Sequence, residues 1–110
     1  MLNIAVLVSG GGTNLQALLD SEARGENPDG KITLVVASKP GVYALERAAK
    51  AGVEGVVVRR KDYATSEAFD AALLKTLKEH NIDLVVLAGF LSVLGPSVIE
   101  AYPRRILNIH

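Results

Sequence analysis

Five short aliphatic runs alternate along the chain with longer segments whose apolar positions recur every three to four residues. The runs span Leu2 to Val8, Lys31 to Ala37, Gly55 to Val58, Asp83 to Ala88 and Arg105 to Ile109. Each is largely apolar instead of alternating, which is the pattern of a strand covered on both faces. The segments between them read as helices. The first begins near Asn14, carries Leu15, Leu18 and Leu19 on one face and ends in the polar loop Glu26-Asn27-Pro28-Asp29-Gly30. The second covers about Val42 to Ala51 and stops at Gly52, whose lack of a Cβ suits a left-handed cap. Thr65 or Ser66 caps the third. Glu67 and Asp70 favour its first turn, Lys75 and Lys78 its last, and Phe69, Leu73 and Leu77 form its buried stripe. A short fourth helix opens at Pro96 and runs towards Ala101. A βαβ series with right-handed crossovers follows, hence a doubly wound, mostly parallel α/β sheet of about five strands with helices on both faces.

Between the first strand and the first helix lies Ser9-Gly10-Gly11-Gly12-Thr13-Asn14-Leu15-Gln16. Glycines let the backbone approach a ligand closely, and the N–H groups opening the next helix are free donors at the positive end of its dipole. The loop reads as a phosphate cradle, or as a tight turn in which Thr13 or Asn14 merely caps the helix. A dinucleotide site would need a third glycine where Leu15 stands, and an acid ending the second strand where Ser38-Lys39-Pro40 follows. The Gly-Lys-Ser/Thr of a triphosphate loop is missing as well. A small monophosphate is the better match.

Composition then narrows the setting. At 110 residues the chain is one domain's worth or less, able to bury roughly 60–70% of its unfolded surface. Twelve basic and twelve acidic residues cancel, which argues against nucleic acid or an anionic membrane as the main partner; Arg59-Arg60-Lys61 reads as a solvated loop. There are no cysteines, so disulfides, zinc thiolate sites and thiol nucleophiles are excluded. With no apolar run of spanning length and no signal-type N-terminus, the expectation is a cytoplasmic protein.

In doubly wound sheets ligands bind beyond the carboxyl ends of the strands. After the fourth strand, Gly89-Phe90-Leu91-Ser92-Val93-Leu94-Gly95-Pro96 is apolar where a loop is due. It either lines a pocket for a flat, partly apolar ligand or packs the short helix onto the sheet. At the end of the fifth strand, alternation puts Asn108 and His110 on one face and Leu107 and Ile109 on the other. An amide and an imidazole are costly to bury unpaired, so a cleft at the strand end is their natural place. Histidine moves protons near neutral pH and an asparagine amide donates to a developing oxyanion, a pairing suited to acyl transfer. His80, beside Glu79 and Asn81, reads as a helix-end residue favoured by the dipole.

Taken together, Asn3-Ile4-Ala5-Val6-Leu7-Val8-Ser9-Gly10-Gly11-Gly12-Thr13-Asn14-Leu15-Gln16, Ala88-Gly89-Phe90-Leu91 and Leu107-Asn108-Ile109-His110 closely resemble the phosphoribosylglycinamide formyltransferases, folate-dependent enzymes of de novo purine synthesis. The resemblance covers the whole chain. Asn-Ile-His alone would point only to a wider superfamily that includes methionyl-tRNA formyltransferase and formyltetrahydrofolate hydrolase; the glycine loop discriminates among them.

The resemblance implies a Rossmann-like formyltransferase fold and a reaction in which the amine of 5-phosphoribosylglycinamide attacks the formyl carbon of 10-formyltetrahydrofolate, with no metal. It implies that Gly12, Thr13 and Asn14 hold the phosphate and that Leu91, Ser92, Val93 and Leu94 line the folate pocket, partly through backbone groups. Asn108 would steady the oxyanion beside the folate, and His110 would be the proton donor. Ser66 falls where relatives can contact folate, many through arginine, and Ser92 stands where some have a basic residue. Family members continue past this histidine with a segment that supplies an aspartate partner for it and much of the folate site. The expectation is therefore an N-terminal half, residues 1–110, whose partner is the missing C-terminal half and which alone is nearly inactive. The competing readings are a non-catalytic nucleotide-binding module and half of a nicotinamide-dependent dehydrogenase.

Overall fold

The computed structural model describes residues 1–26, 29–92 and 94–109. Five strands, β1 (Leu2–Val8), β2 (Gly30–Ala37), β3 (Glu54–Val57), β4 (Leu84–Ala88) and β5 (Ile106–Ile109), form one sheet in the order β3-β2-β1-β4-β5. Every pairing is parallel. The helices are α1 (Thr13–Ala23), α2 (Tyr43–Lys50), α3 (Ser66–Glu79) and α4 (Pro96–Ala101). The doubly wound sheet expected from the sequence is what forms, with element ends displaced by a residue or two. Asn27 and Pro28 of the expected polar loop, and the Val93 and His110 of the expected site, lie outside the described residues.

The continuous apolar runs of β1, β2 and β4 have the cause expected, whereas β3 and β5, also expected to be covered on both faces, are edge strands and stay largely exposed. Ala5, Val6, Leu7 and Val8 of β1 are all at 0% exposure, because β1 is central and covered on both sides. Ile4, Val6 and Val8 pack with Leu15 and Leu19 of α1 and Ala44 and Ala48 of α2. Ala5 and Leu7 face the other way, against Phe69, Leu73 and Leu77 of α3 and Val98 of α4. On the α1 side an apolar groove of about 230 Å³ stays open beside Leu84, Val86, Leu107 and Ile109. It lies on the face of β5 opposite Asn108 and carries little polar chemistry, so it is not the candidate site.

Caps explain the helix ends. Thr65 caps α3, its Oγ1 accepting from the Ala68 N–H at 3.1 Å. Gly52 takes φ +75° after α2, as the sequence suggests. Arg60–Asp62 forms one 3₁₀ turn in the basic segment expected to be loop.

His80 closes α3 and does more than complement a dipole. Its Nδ1 lies 2.8 Å from the Thr76 carbonyl and its Nε2 2.8 Å from Glu54 Oε2. A neutral imidazole has one N–H; only the protonated ring donates to both. The Thr76 carbonyl first, then Glu54, hold the His80 pKa above its ordinary value. The pair's contribution, under about 1 kcal/mol at this half-exposed site, is therefore complete below about pH 6.5 and fades as pH rises through the raised pKa. Urea unfolding between about pH 6 and pH 9 should show that slope, and His80→Gln should remove it; an equal slope in both proteins would refute the pair.

A candidate phosphate and acyl-transfer site at the carboxyl edge

The strand order reverses direction between β1 and β4, since β2 and β3 lie to one side of β1 and β4 and β5 to the other. Such a switch point opens a crevice beyond the strand ends, and both unusual loops flank it. The glycine loop leaves β1 and the 89–92 segment leaves β4. They touch directly: the Ser9 N–H donates to the Gly89 carbonyl at 3.2 Å, and the Leu91 N–H donates to Ser9 Oγ at 2.8 Å.

The glycine loop delivers the start of α1. Gly12 is the N-cap in the left-handed region, φ +81°, and no side chain caps the helix. The first helical bond runs from the Gln16 N–H to the Gly12 carbonyl at 2.8 Å, so the N–H groups of Thr13, Asn14 and Leu15 precede it as unclaimed helical donors. This corrects the capping assignment offered by the sequence. Neither Thr13 nor Asn14 caps α1; both lie inside it, and the cap position belongs to a residue without a side chain. The result is a short array of backbone donors at the positive end of an 11-residue helix, which suits an anion.

The apolar 89–94 segment divides its residues. Phe90 and Leu94 pack onto the α3 and α4 layer, whereas Leu91 is 81% exposed at the lip and Ser92 is half-buried. The packing reading of this loop therefore holds for Phe90 and Leu94. On β5, Asn108 pairs in register with Leu87, two residues before Gly89, and so projects beside the β4 loop. In this chain it is exposed, on the edge strand β5. Ser66 is also exposed, at the first position of α3, on the same edge by chain direction.

Residues 2–110 match the model of the formyl transferase family. The chain belongs to that family. Among curated formyl transferase relatives, the phosphoribosylglycinamide formyltransferase of Haemophilus influenzae is 39% identical over 110 residues, covering 100% of this chain and 51% of that protein. The trifunctional purine biosynthetic protein adenosine-3 of Chironomus tentans is 44% identical over 108 residues, 97% of this chain and 8% of its own length. The crystal structure of glycinamide ribonucleotide transformylase 1 from Symbiobacterium toebii superposes with a TM-score of 0.94 at 44% identity, covering 100% of this chain and 51% of that one. The chain thus spans about half of these bacterial relatives and a small part of the trifunctional one.

Several residues that shape this formyl transferase edge escape a reading by motif. Arg47 of α2 donates from Nε to the Gly11 carbonyl at 2.8 Å and from Nη1 to Gln16 Oε1 at 3.1 Å, pinning the glycine loop while its guanidinium lies 4.7 Å over the Tyr43 ring. Asp70, expected to complement the dipole of α3, turns away from it. Its carboxylate accepts from the Gly95 N–H at 2.9 Å and the Ser97 N–H at 2.8 Å, capping α4 from outside. Asp70 is 2% exposed and stands three and seven residues before Leu73 and Leu77, on their stripe. That spacing was the available signal: an acid on an apolar face needs partners. At the end of β2, where a dinucleotide site would place an acid, Ser38 instead turns its hydroxyl to Ser9 Oγ at 2.8 Å.

Proposed function

We propose that this chain carries the ribonucleotide grip and the catalytic pair of a cytoplasmic phosphoribosylglycinamide formyltransferase. The reaction moves the formyl group of 10-formyltetrahydrofolate onto the amine of 5-phosphoribosylglycinamide, a step of de novo purine synthesis. The observation that carries the reading is the freedom at Gly10 and Gly11. A Cβ built on either meets nothing within 4 Å, and neither residue has a positive φ. Glycine there is required by neither packing nor backbone strain, so close approach of a ligand is the remaining physical use. The array of helix N–H groups beside them supports an anion as that ligand.

In this reading Gly12, Thr13 and Asn14 hold the phosphate. Leu91, Ser92, Val93 and Leu94 form the folate side with Asn108, and Ser66 is an outer contact. The amine nitrogen bonds to the formyl carbon, and the Asn108 amide donates to the oxygen as it gains charge. The bond from that carbon to the folate nitrogen then breaks; His110 returns to the departing nitrogen the proton that the amine gives up. The reaction balances without a metal or nicotinamide. The further length of the relatives is read as the partner half, supplying the acid that steadies the imidazolium and the rest of the folate site.

Gly10→Ala and Gly11→Ala test the grip. Urea unfolding should place each within about 0.5 kcal/mol of the parent chain, while calorimetric titration should show affinity for 5-phosphoribosylglycinamide weakened at least about tenfold. Equal affinity in parent and variants would refute the phosphate site. With the relatives' second half supplied, failure of the parent protein to transfer a formyl group between the two substrates would refute the reaction.

A further inference from the structure

The carboxyl ends of β1, β2 and β4 meet at one side chain. Ser9 is 5% exposed, and its Oγ accepts from the Ser38 hydroxyl at 2.8 Å and from the Leu91 N–H at 2.8 Å. A hydroxyl oxygen has two lone pairs, so its acceptor capacity is filled. The Ser9 backbone adds the bond to the Gly89 carbonyl at 3.2 Å. One residue thus opens the glycine loop and holds the next loop twice.

Leu91 shows why the hydroxyl matters. Its side chain is 81% exposed, so burial does not hold this residue in place; the bond from its N–H to Ser9 does. At the far end of the same segment the Asp70 carboxylate holds Gly95 and Ser97. The bonds at Gly89 and Leu91 give the backbone of 89–91 a defined position relative to the glycine loop. Ser9 faces inward to Ser38 and Leu91, and both lone pairs of its hydroxyl are taken by protein groups.

We propose that Ser9 is a positioning residue that sets the distance between the two substrate sites by clamping the 89–92 backbone to the glycine loop. The proposal rests on the formyl-transfer reading for its kinetic consequence, but the clamp itself does not. Ser9→Ala removes the acceptor for both partners. Ser38→Ala removes an equally buried hydroxyl and the same Ser9 to Ser38 bond, yet keeps the Leu91 bond, so it controls for the loss of a buried pair.

Two measurements decide. Amide hydrogen exchange on this chain should show Leu91 exchanging at least about tenfold faster in Ser9→Ala, with Val6 and Val35 unchanged, and no such change in Ser38→Ala. In the transferase that carries this sequence as its N-terminal half, Ser9→Ala should raise the KM for 10-formyltetrahydrofolate about tenfold and leave that for 5-phosphoribosylglycinamide within about twofold; Ser38→Ala should leave both within about twofold. Unchanged exchange at Leu91 overturns the clamp. Faster exchange without a folate effect, or both Michaelis constants rising alike in the two variants, overturns its positioning role. An unsubstituted enzyme without formyl transfer would instead overturn the functional reading, with the exchange data still deciding the clamp.

Discussion

In the proposed transferase, with the relatives' second half supplied, Asn108→Ala is expected to lower kcat for formyl transfer by about 10² to 10³, the usual loss on removing one preorganised oxyanion donor. The expectation follows from placement. Asn108 pairs with Leu87 and Ile109 with Ala88, so the amide stands at the carboxyl end of β5 next to the strand that feeds the 89–92 loop. A backbone fixed in a parallel ladder spends little free energy reorganising as charge develops, which is why a strand end suits an oxyanion donor. Because the side chain is exposed, truncating it should leave unfolding free energy within about 0.5 kcal/mol of the parent. The KM for 5-phosphoribosylglycinamide should also hold, since the phosphate grip lies on another loop. Asn108→Asp gives the stricter result. It keeps the shape but replaces a donor with acceptors, so it should be as slow as the alanine variant. A fast aspartate variant would show that volume, not donation, is what the position supplies.

Gly12→Ala should destabilise the chain by about 2–5 kcal/mol, the sum of left-handed strain and overpacking. The two terms have separate sources. Gly12 has φ +81°, which an alanine adopts only under strain. A Cβ there would also stand 2.8 Å from the Ala44 Cβ and 3.1 Å from its Cα, and Ala44 is at 0% exposure with no room to retreat. Relief would have to come from separating α1 and α2, which drags the Thr13 and Asn14 donors with it. Urea unfolding should therefore show the loss, and titration should show phosphate affinity falling with it. Ala44→Gly in the same chain separates the terms. Removing the facing Cβ should recover part of the loss in a double-mutant cycle, and the strain term should remain. A cycle with no coupling would mean that α2 does not set the constraint. Gly12 thus serves packing, unlike Gly10 and Gly11, around which a Cβ would find open space.

The elements were legible in the sequence because their signals are local. Unbroken aliphatic runs marked the strands, although only β1, β2 and β4 are covered on both faces, and Thr65 and Gly52 act as the caps their positions suggest. The two loops of the candidate site were legible too, since glycine before a helix and apolar residues after a strand are unusual in themselves. Less legible was the start of α1: Thr13 and Asn14 are good cap residues, yet contact with Ala44, 32 positions away, reserves that place for Gly12. Asp70 was misassigned for a similar reason. A first-turn acid on α3 looks like a dipole partner until α4 arrives with two N–H groups in need of an acceptor.

By itself, the sequence determined the strand and helix order, the parallel doubly wound class and the residue types at the strand ends. Each of these follows from periodicity, turn chemistry and the handedness of crossovers, which act over a few residues. Only the tertiary structure decided that β1 and β4 lie side by side and that Ser9 therefore holds both loops. Those facts depend on pairings between residues as many as 82 positions apart, and a one-dimensional pattern records which groups need partners but not which ones they find.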